Sequence, residues 1–208
     1  TFARGQGLQK RDFTPAGVGC IHYGQIYTHY GTWAEETLAF VAPATASGLC
    51  KVHPGDVVIT NTSENVRDVC KAVAWLGRAT VVTGGHATVF TPGEATQGKY
   101  VAYYMQTECF ARQKRQYARG SKVIDVSAAD LAKIRIPLPP LAVQERIVGI
   151  LDRFASLEAE LEAELEAELE ARKLQYAYYR DHLFNSLKGE NSPVDTIEKN
   201  GRDDHGTL

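Results

Sequence analysis

The chain has no run of eighteen consecutive apolar residues, a single methionine, and four cysteines of which no two form a C-x-x-C pair. The first absence argues against a membrane-spanning helix, and the last leaves no zinc knuckle or thiol redox motif. The opening thirty residues also lack the charged-then-apolar order of a secretion signal. A soluble, intracellular chain is expected, with Cys20, Cys50, Cys70 and Cys109 as buried free thiols. Thr1 opens the sequence and Met105 is its one methionine, which reads as a chain with something removed upstream.

Signatures of catalysis are missing as well. The six histidines make no H-E-x-x-H or H-x-E…C-x-x-C pattern, and no G-x-S-x-G occurs. The one Pro-Pro pair, Pro139-Pro140, lies outside the N-P-P-Y-like setting expected of a methyltransferase acting on DNA bases. Cys20 and His22 fit one strand face, but two ligands do not make a metal site. Gly93-Glu-Ala-Thr-Gln-Gly98-Lys99 has the spacing of a phosphate loop, yet Tyr100 stands where Ser or Thr would hold magnesium. Neither a metal, a cofactor nor a catalytic residue is assigned to the chain.

What is present is unevenly distributed. The formal charge of −2 over 208 residues divides into +5 for Thr1–Pro140, −5 for Leu141–Leu187 and −2 for Lys188–Leu208. A basic globular part followed by an acidic helix is the arrangement this proposes. Residues 1–140 carry turn signals and short β-branched runs, with strands expected near Val57–Thr60, Thr80–Thr83, Thr88–Phe90 and Val123–Val126. One helix of about five turns is expected over Gly98–Ala118. Ser127-Ala-Ala-Asp130 resembles a capping box before a strand at Ile134–Ile136.

From Leu141 the composition changes, with no glycine or proline between Ile150 and Lys188. A single helix of about 70 Å follows from that. Ile147, Ile150/Leu151, Phe154, Leu157 and Leu161 keep three-and-four spacing, so one side of the helix needs a covering partner. Leu157-Glu-Ala-Glu then repeats from Leu161 and Leu165, with a degenerate fourth copy at Leu169. Four residues turn a helix through about 400°, so the leucine stripe drifts about 40° per copy. Seven glutamates from Glu158 to Glu170 with no intervening base repel one another at i,i+4. A sequence that keeps such a cost is using the length of the helix itself; the alternative is a solvated acidic face. The polar stretch 188–208 is assigned no structure.

A polar and basic inventory suited to nucleic acid remains. Arg112, Lys114, Arg115, Arg119 and Lys122 fall within eleven acid-free residues, and at helical spacing Arg112, Arg115 and Arg119 share a face. Lys10 and Arg11, the group His22, Tyr23, Gln25 and Tyr27, and the segment Thr60, Asn61, Thr62, Ser63 and Asn65 add side chains able to reach base edges.

At Ile134-Arg-Ile-Pro-Leu-Pro-Pro-Leu-Ala-Val-Gln-Glu-Arg-Ile-Val-Gly-Ile-Leu151 the sequence closely resembles the junction of a type I restriction-modification specificity subunit, where a target recognition domain meets a conserved spacer helix. Gly55-Asp56-Val-Val-Ile59, the Gly120-Ser-Lys-Val123 turn followed by Asp130-Leu-Ala-Lys-Ile134, the four-residue repeat and Arg180-Asp-His-Leu-Phe184 match in the same way. The resemblance runs from about Gly7 to Leu187, with one recognition domain and one spacer where a full member has two of each, as in a half-length form. It implies an α+β architecture: a DNA-binding recognition domain at 1–140, a coiled-coil spacer helix at 141–187 and a flexible tail at 188–208. It further implies a non-catalytic subunit in the prokaryotic cytoplasm that reads double-stranded DNA. Its other partners would be a methyltransferase subunit carrying S-adenosylmethionine, a restriction subunit where one is present, and a second copy of itself packed antiparallel through Ile147, Leu151, Phe154, Leu157, Leu161, Leu165 and Leu169. A structural coiled-coil adaptor and a nuclease without a recognisable motif are the other classes compatible with these residues.

Overall fold

The computed structural model describes residues 1–189. Its strands are β1 (Phe2–Arg4), β2 (Phe13–Thr14), β3 (Val18–Ile21), β4 (Trp33–Ala34), β5 (Ala39–Val41), β6 (Cys50–Val52), β7 (Val57–Thr60), β8 (Thr62–Ser63), β9 (Ala72–Trp75), β10 (Val81–Thr83), β11 (Ala87–Phe90) and β12 (Ile124–Asp125). Its helices are α1 (Tyr23–Thr28), α2 (Pro43–Ala46), α3 (Gly98–Tyr104), α4 (Glu108–Tyr117), α5 (Ala128–Leu131) and α6 (Leu141–Gly189). One five-stranded sheet has the order β1-β11-β7-β9-β4 and the other β2-β5-β3-β10-β6, while β8 and β12 form a small ribbon.

Short β-branched runs become central strands because both of their faces are covered. In β7, Val57 and Ile59 enter the core shared with α3 and α4, while Val58 enters the core that holds Ile26 of α1. In β10, Val81 joins that second core and Val82 a third one with Ala46 of α2. Successive side chains on a strand point to opposite faces. The result is two sheets with helices against their outer sides, the α+β architecture expected. Pairing is mostly antiparallel, with Val58 opposite Val89 and Val73, but β3–β10 and β4–β9 run parallel.

Two expected elements take other forms. The helix expected over Gly98–Ala118 is broken at Met105–Thr107, where the Gln106 and Thr107 N–H groups turn back to the Tyr103 and Tyr104 carbonyls. The Thr107 hydroxyl then accepts from the Phe110 N–H and starts α4 afresh. Ile134–Ile136 is no strand. The Arg135 backbone is bonded at both N–H and carbonyl by the Gln113 side chain, at 2.9 and 2.8 Å, and has no neighbouring strand. The Ser127 cap and the short α5 form as expected, with the Ser127 hydroxyl accepting from the Asp130 N–H.

Contacts divide the chain into a unit at Thr1–Arg153 and a second from Phe154 on. The globular unit thus runs past the expected boundary at Pro140 and takes in the start of α6. There Val148 is buried, Ile147 packs on the core, and Lys99 Nζ donates to Asp152 at 2.9 Å while lying 4.1 Å from the Trp33 ring centroid. The Lys99 of the phosphate-loop-like stretch is committed to that ion pair. In the second unit the described part is helix alone, and Leu157, Leu161, Leu165 and Leu169 are 54–59% exposed. Residues 190–208, most of the stretch read as a polar tail, lie outside the described residues. Among the described residues no helix is long and apolar enough to cross a membrane.

Not every thiol is buried. Cys20 and Cys70 are, and burial pushes them up to about 11 and about 12. Cys50 is half-buried and Cys109, on the outer face of α4, is exposed.

Candidate nucleic-acid interface

Several of the sequence-selected residues line two adjoining grooves of the globular unit. The larger, about 610 Å³, is walled by Tyr23, Tyr27, Thr62, Ser63, Asn65 and Lys71. The smaller, about 340 Å³, runs between Lys10, His22 and the Gly85 backbone. Tyr23 and His86 belong to both and form the ridge between them. Rings pack in series along this ridge: Phe13 edge-on to His22 at 5.6 Å, then tilted pairs of His22 with Tyr23 at 4.5 Å and Tyr23 with His86 at 4.9 Å. A third groove of about 480 Å³ shares Asp68 and Lys71 with the first and extends to Arg67 and Arg115. Lys10 on one side and Lys71, Arg67 and Arg115 on the other flank this aromatic centre, with Glu64, Asp68 and Glu108 set among them, so cations able to hold phosphates stand beside carboxylates and polar groups able to face bases.

Local chemistry explains how these residues are held. His22 is the N-cap of α1, its Nδ1 accepting from the Gly24 N–H at 3.1 Å, while Gln25 Oε1 accepts from the His22 N–H at 3.3 Å. His22 is 5% exposed, so it caps the helix and leaves the outward positions to its neighbours. Burial, then the positive charge of Lys10 and the neighbouring His86, hold the His22 imidazole below its usual range. The folded state thus resists a proton that the unfolded chain takes up near pH 6.5. Stability is complete above that pH and falls as pH drops below it. His22→Asn keeps a good cap and is expected to flatten this part of the acid limb, measured as the urea midpoint of wild type and variant at pH 7.5 and pH 5.

Other sequence-selected residues are turned inward. Thr60 and Asn61 are fully buried and cannot reach a duplex. The Asn61 side chain donates to the Val126 carbonyl and accepts from the Thr88 hydroxyl, both at 2.8 Å, and the Thr60 hydroxyl accepts from Tyr27 at 2.7 Å. The single proton of the Tyr27 hydroxyl is shared between that contact and the Thr62 carbonyl 2.8 Å away, so Tyr27 offers the groove its ring and not its hydroxyl. Lys114 is 5% exposed and donates to the Arg67 and Val69 carbonyls at 2.8 and 2.7 Å. Burial lowers its pKa, and it anchors the 67–69 turn to α4.

Nor do Arg112, Arg115 and Arg119 form one cationic face. Helix α4 stops at Tyr117, and Arg119 bends back to the Gln116 and Ala118 carbonyls. Glu108, a turn upstream of the acid-free run, lies 3.1 Å from Arg115 and 3.9 Å from Arg112. Lys10, Arg11 and Lys122 are exposed, and Asn65 bonds Asp68 through both ends of its amide, closing the turn after β8. On α6, Ile147 packs on its own domain's core and so is not free for a partner helix, and Leu151 is half-buried. Phe154 is 65% exposed.

Sequence reasoning missed His86, Lys71 and Arg67. His86 follows Gly84-Gly85, a turn signal; the two cations stand in a polar loop that resembles any other. The cavity of about 190 Å³ under Phe2, Phe90, Phe110 and Ile136 is lined by apolar side chains.

The EcoprrI type I restriction enzyme specificity subunit of Escherichia coli is 43% identical over 101 residues, which cover 44% of this chain and 24% of that one. Among solved structures, a chain of a type I R-M system superposes with a TM-score of 0.60 at 21% identity, covering 85% of this chain and 41% of that one. The HsdS subunit from Thermoanaerobacter tengcongensis gives 0.53 at 18% identity, over 78% and 36%. The chain thus matches less than half the length of each relative, and the two structural likenesses speak for the fold. The family model for the type I restriction modification DNA specificity domain matches residues 50–171, more than half of the sequence, and the chain belongs to that family.

Proposed function

We propose that the chain is a half-length, non-catalytic DNA-reading subunit of a type I restriction-modification system. It acts as a homodimer that reads an interrupted palindrome in double-stranded DNA and positions methyltransferase subunits, which carry the S-adenosylmethionine chemistry. Where a restriction subunit is present, it joins the same assembly. The observation that carries this reading is the leucine stripe of α6, half-exposed at four successive positions spaced by four residues. A stripe of that size needs a partner, and a second copy of the same helix, reversed, supplies matching leucines about a twofold axis. Twofold symmetry in the protein calls for twofold symmetry in the DNA.

Affinity comes from the exposed cations around the grooves through counterion release, and sequence choice from the polar groups between them. Each four-residue repeat contributes about 6 Å of helix, or one to two base-pair steps of about 3.4 Å. Deleting Leu161–Glu164 is therefore expected to shorten the gap between half-sites by one or two base pairs with both half-sites unchanged. Methylation mapping in cells carrying the variant with its methyltransferase reads this directly. An unaltered gap would overturn the ruler, and duplex binding indifferent to salt would overturn DNA reading.

A further inference from the structure

Building on the proposed DNA-reading role, we infer that His86 is a specificity-determining residue, donating a hydrogen bond from its Nε2–H to an acceptor atom on a base edge. It stands on the ridge common to both grooves, between the cation at Lys10 and the cation at Lys71. Its backbone has φ +68°, a left-handed conformation that side-chain-bearing residues adopt at a cost. Glycine occupies such positions freely, and two glycines directly precede this one, yet the side chain is here.

The surroundings fix that conformation. The His86 carbonyl accepts from the buried Asn61 N–H at 2.8 Å. The preceding turn is locked by close backbone approach, since a Cβ on Gly84 would sit 2.0 Å from that of Leu8 and one on Gly5 would sit 2.2 Å from the Gly84 carbonyl oxygen. A rigid backbone thus aims an exposed ring, which is what accurate placement of one hydrogen bond requires. The ring is oriented too, lying against Tyr23, with Nδ1 2.9 Å from the Thr62 hydroxyl. We assign that hydroxyl as donor, because it has no other acceptor among the described residues. The ring hydrogen then resides on Nε2, which has no protein partner among the described residues. An N–H donor on a DNA surface fits guanine N7 or O6, adenine N7 or thymine O4 in the major groove, and is mismatched against the cytosine amino group.

The discriminating variant is His86→Gly, which removes the ring and suits the backbone, so the melting temperature of the full chain is expected to hold or rise. Wild type and variant would each be used to select from a randomised duplex library. The variant is expected to enrich the wild-type motif with preference relaxed about ten-fold or more at a single position of each half-site, the others unchanged. A motif kept at every position, or a uniform loss of affinity for all sequences, would overturn the role of His86 alone. A wild-type chain that enriches no sequence would overturn the DNA-reading role itself.

Discussion

Gln144→Ala is expected to lower the melting temperature of the globular unit by about 10 °C, the largest stability effect of any single side chain near the helix start. Gln144 is fully buried in the first turns of α6. Its Nε2 donates to the Ala95 carbonyl at 2.9 Å and the Pro139 carbonyl at 2.7 Å, and its Oε1 accepts from the Gln97 N–H at 2.9 Å. One amide thus joins the loop before α3, the proline turn and the helix. Truncation leaves three backbone groups without partners, each costing about 1–3 kcal/mol when water cannot replace the bond. Ala95 is exposed and Gln97 half-buried, so water recovers part of that, and a net loss of roughly 2–4 kcal/mol remains. For a unit of this size each kcal/mol shifts the transition by about 2–4 °C. Near-UV circular dichroism on the full chain measures it; a shift under 2 °C would mean that the three groups rehydrate.

That residue also marks where the sequence could be read and where it could not. Periodic apolar runs were legible. Val57–Thr60 forms as expected because four β-branched residues fit only a strand covered on both faces, and α6 forms because it holds no proline and its one interior glycine, Gly149, is followed by an unbroken run of helix formers. What failed was the sorting of polar residues into inward and outward. Gln144, Asn61 and Lys114 have the composition of surface positions, yet each is buried where backbone groups at an element's end lack partners. Those vacant groups arise from tertiary packing, so no local pattern announces them. The same limit applies to the candidate interface. Tyr23, Thr62 and Lys10 were selectable as polar residues in loops, whereas His86 depends on a turn geometry set by Gly5 and Leu8, far away in sequence. The arginine cluster misled because Glu108 lies just outside the acid-free window. Spacing identifies neighbours on a helix, but not where the helix stops.

A paired Leu161→Glu and Leu165→Glu variant is expected to weaken self-association by more than a thousand-fold while leaving the melting of the globular unit unchanged. Both leucines belong to the second unit and are more than half exposed. Two copies bring four such leucines to the seam, each worth about 1.5–3 kcal/mol when fully buried. The combined loss of about 6–12 kcal/mol exceeds the roughly 4 kcal/mol that a thousand-fold change requires. Glutamate adds repulsion, because the helix carries seven acids between Glu158 and Glu170 and like charges one turn apart already oppose one another. Analytical ultracentrifugation across a concentration series separates the outcomes: a dimer for wild type and a monomer for the variant. Thermal unfolding of the same samples reports on the globular unit independently. Retention of the dimer would show that the copies meet through some other surface, and the repeat would then no longer set the distance between half-sites. If the dimer is lost, each protomer keeps one set of grooves, and binding to a single half-site should persist at lower affinity, since avidity and not base contact is what the substitution removes.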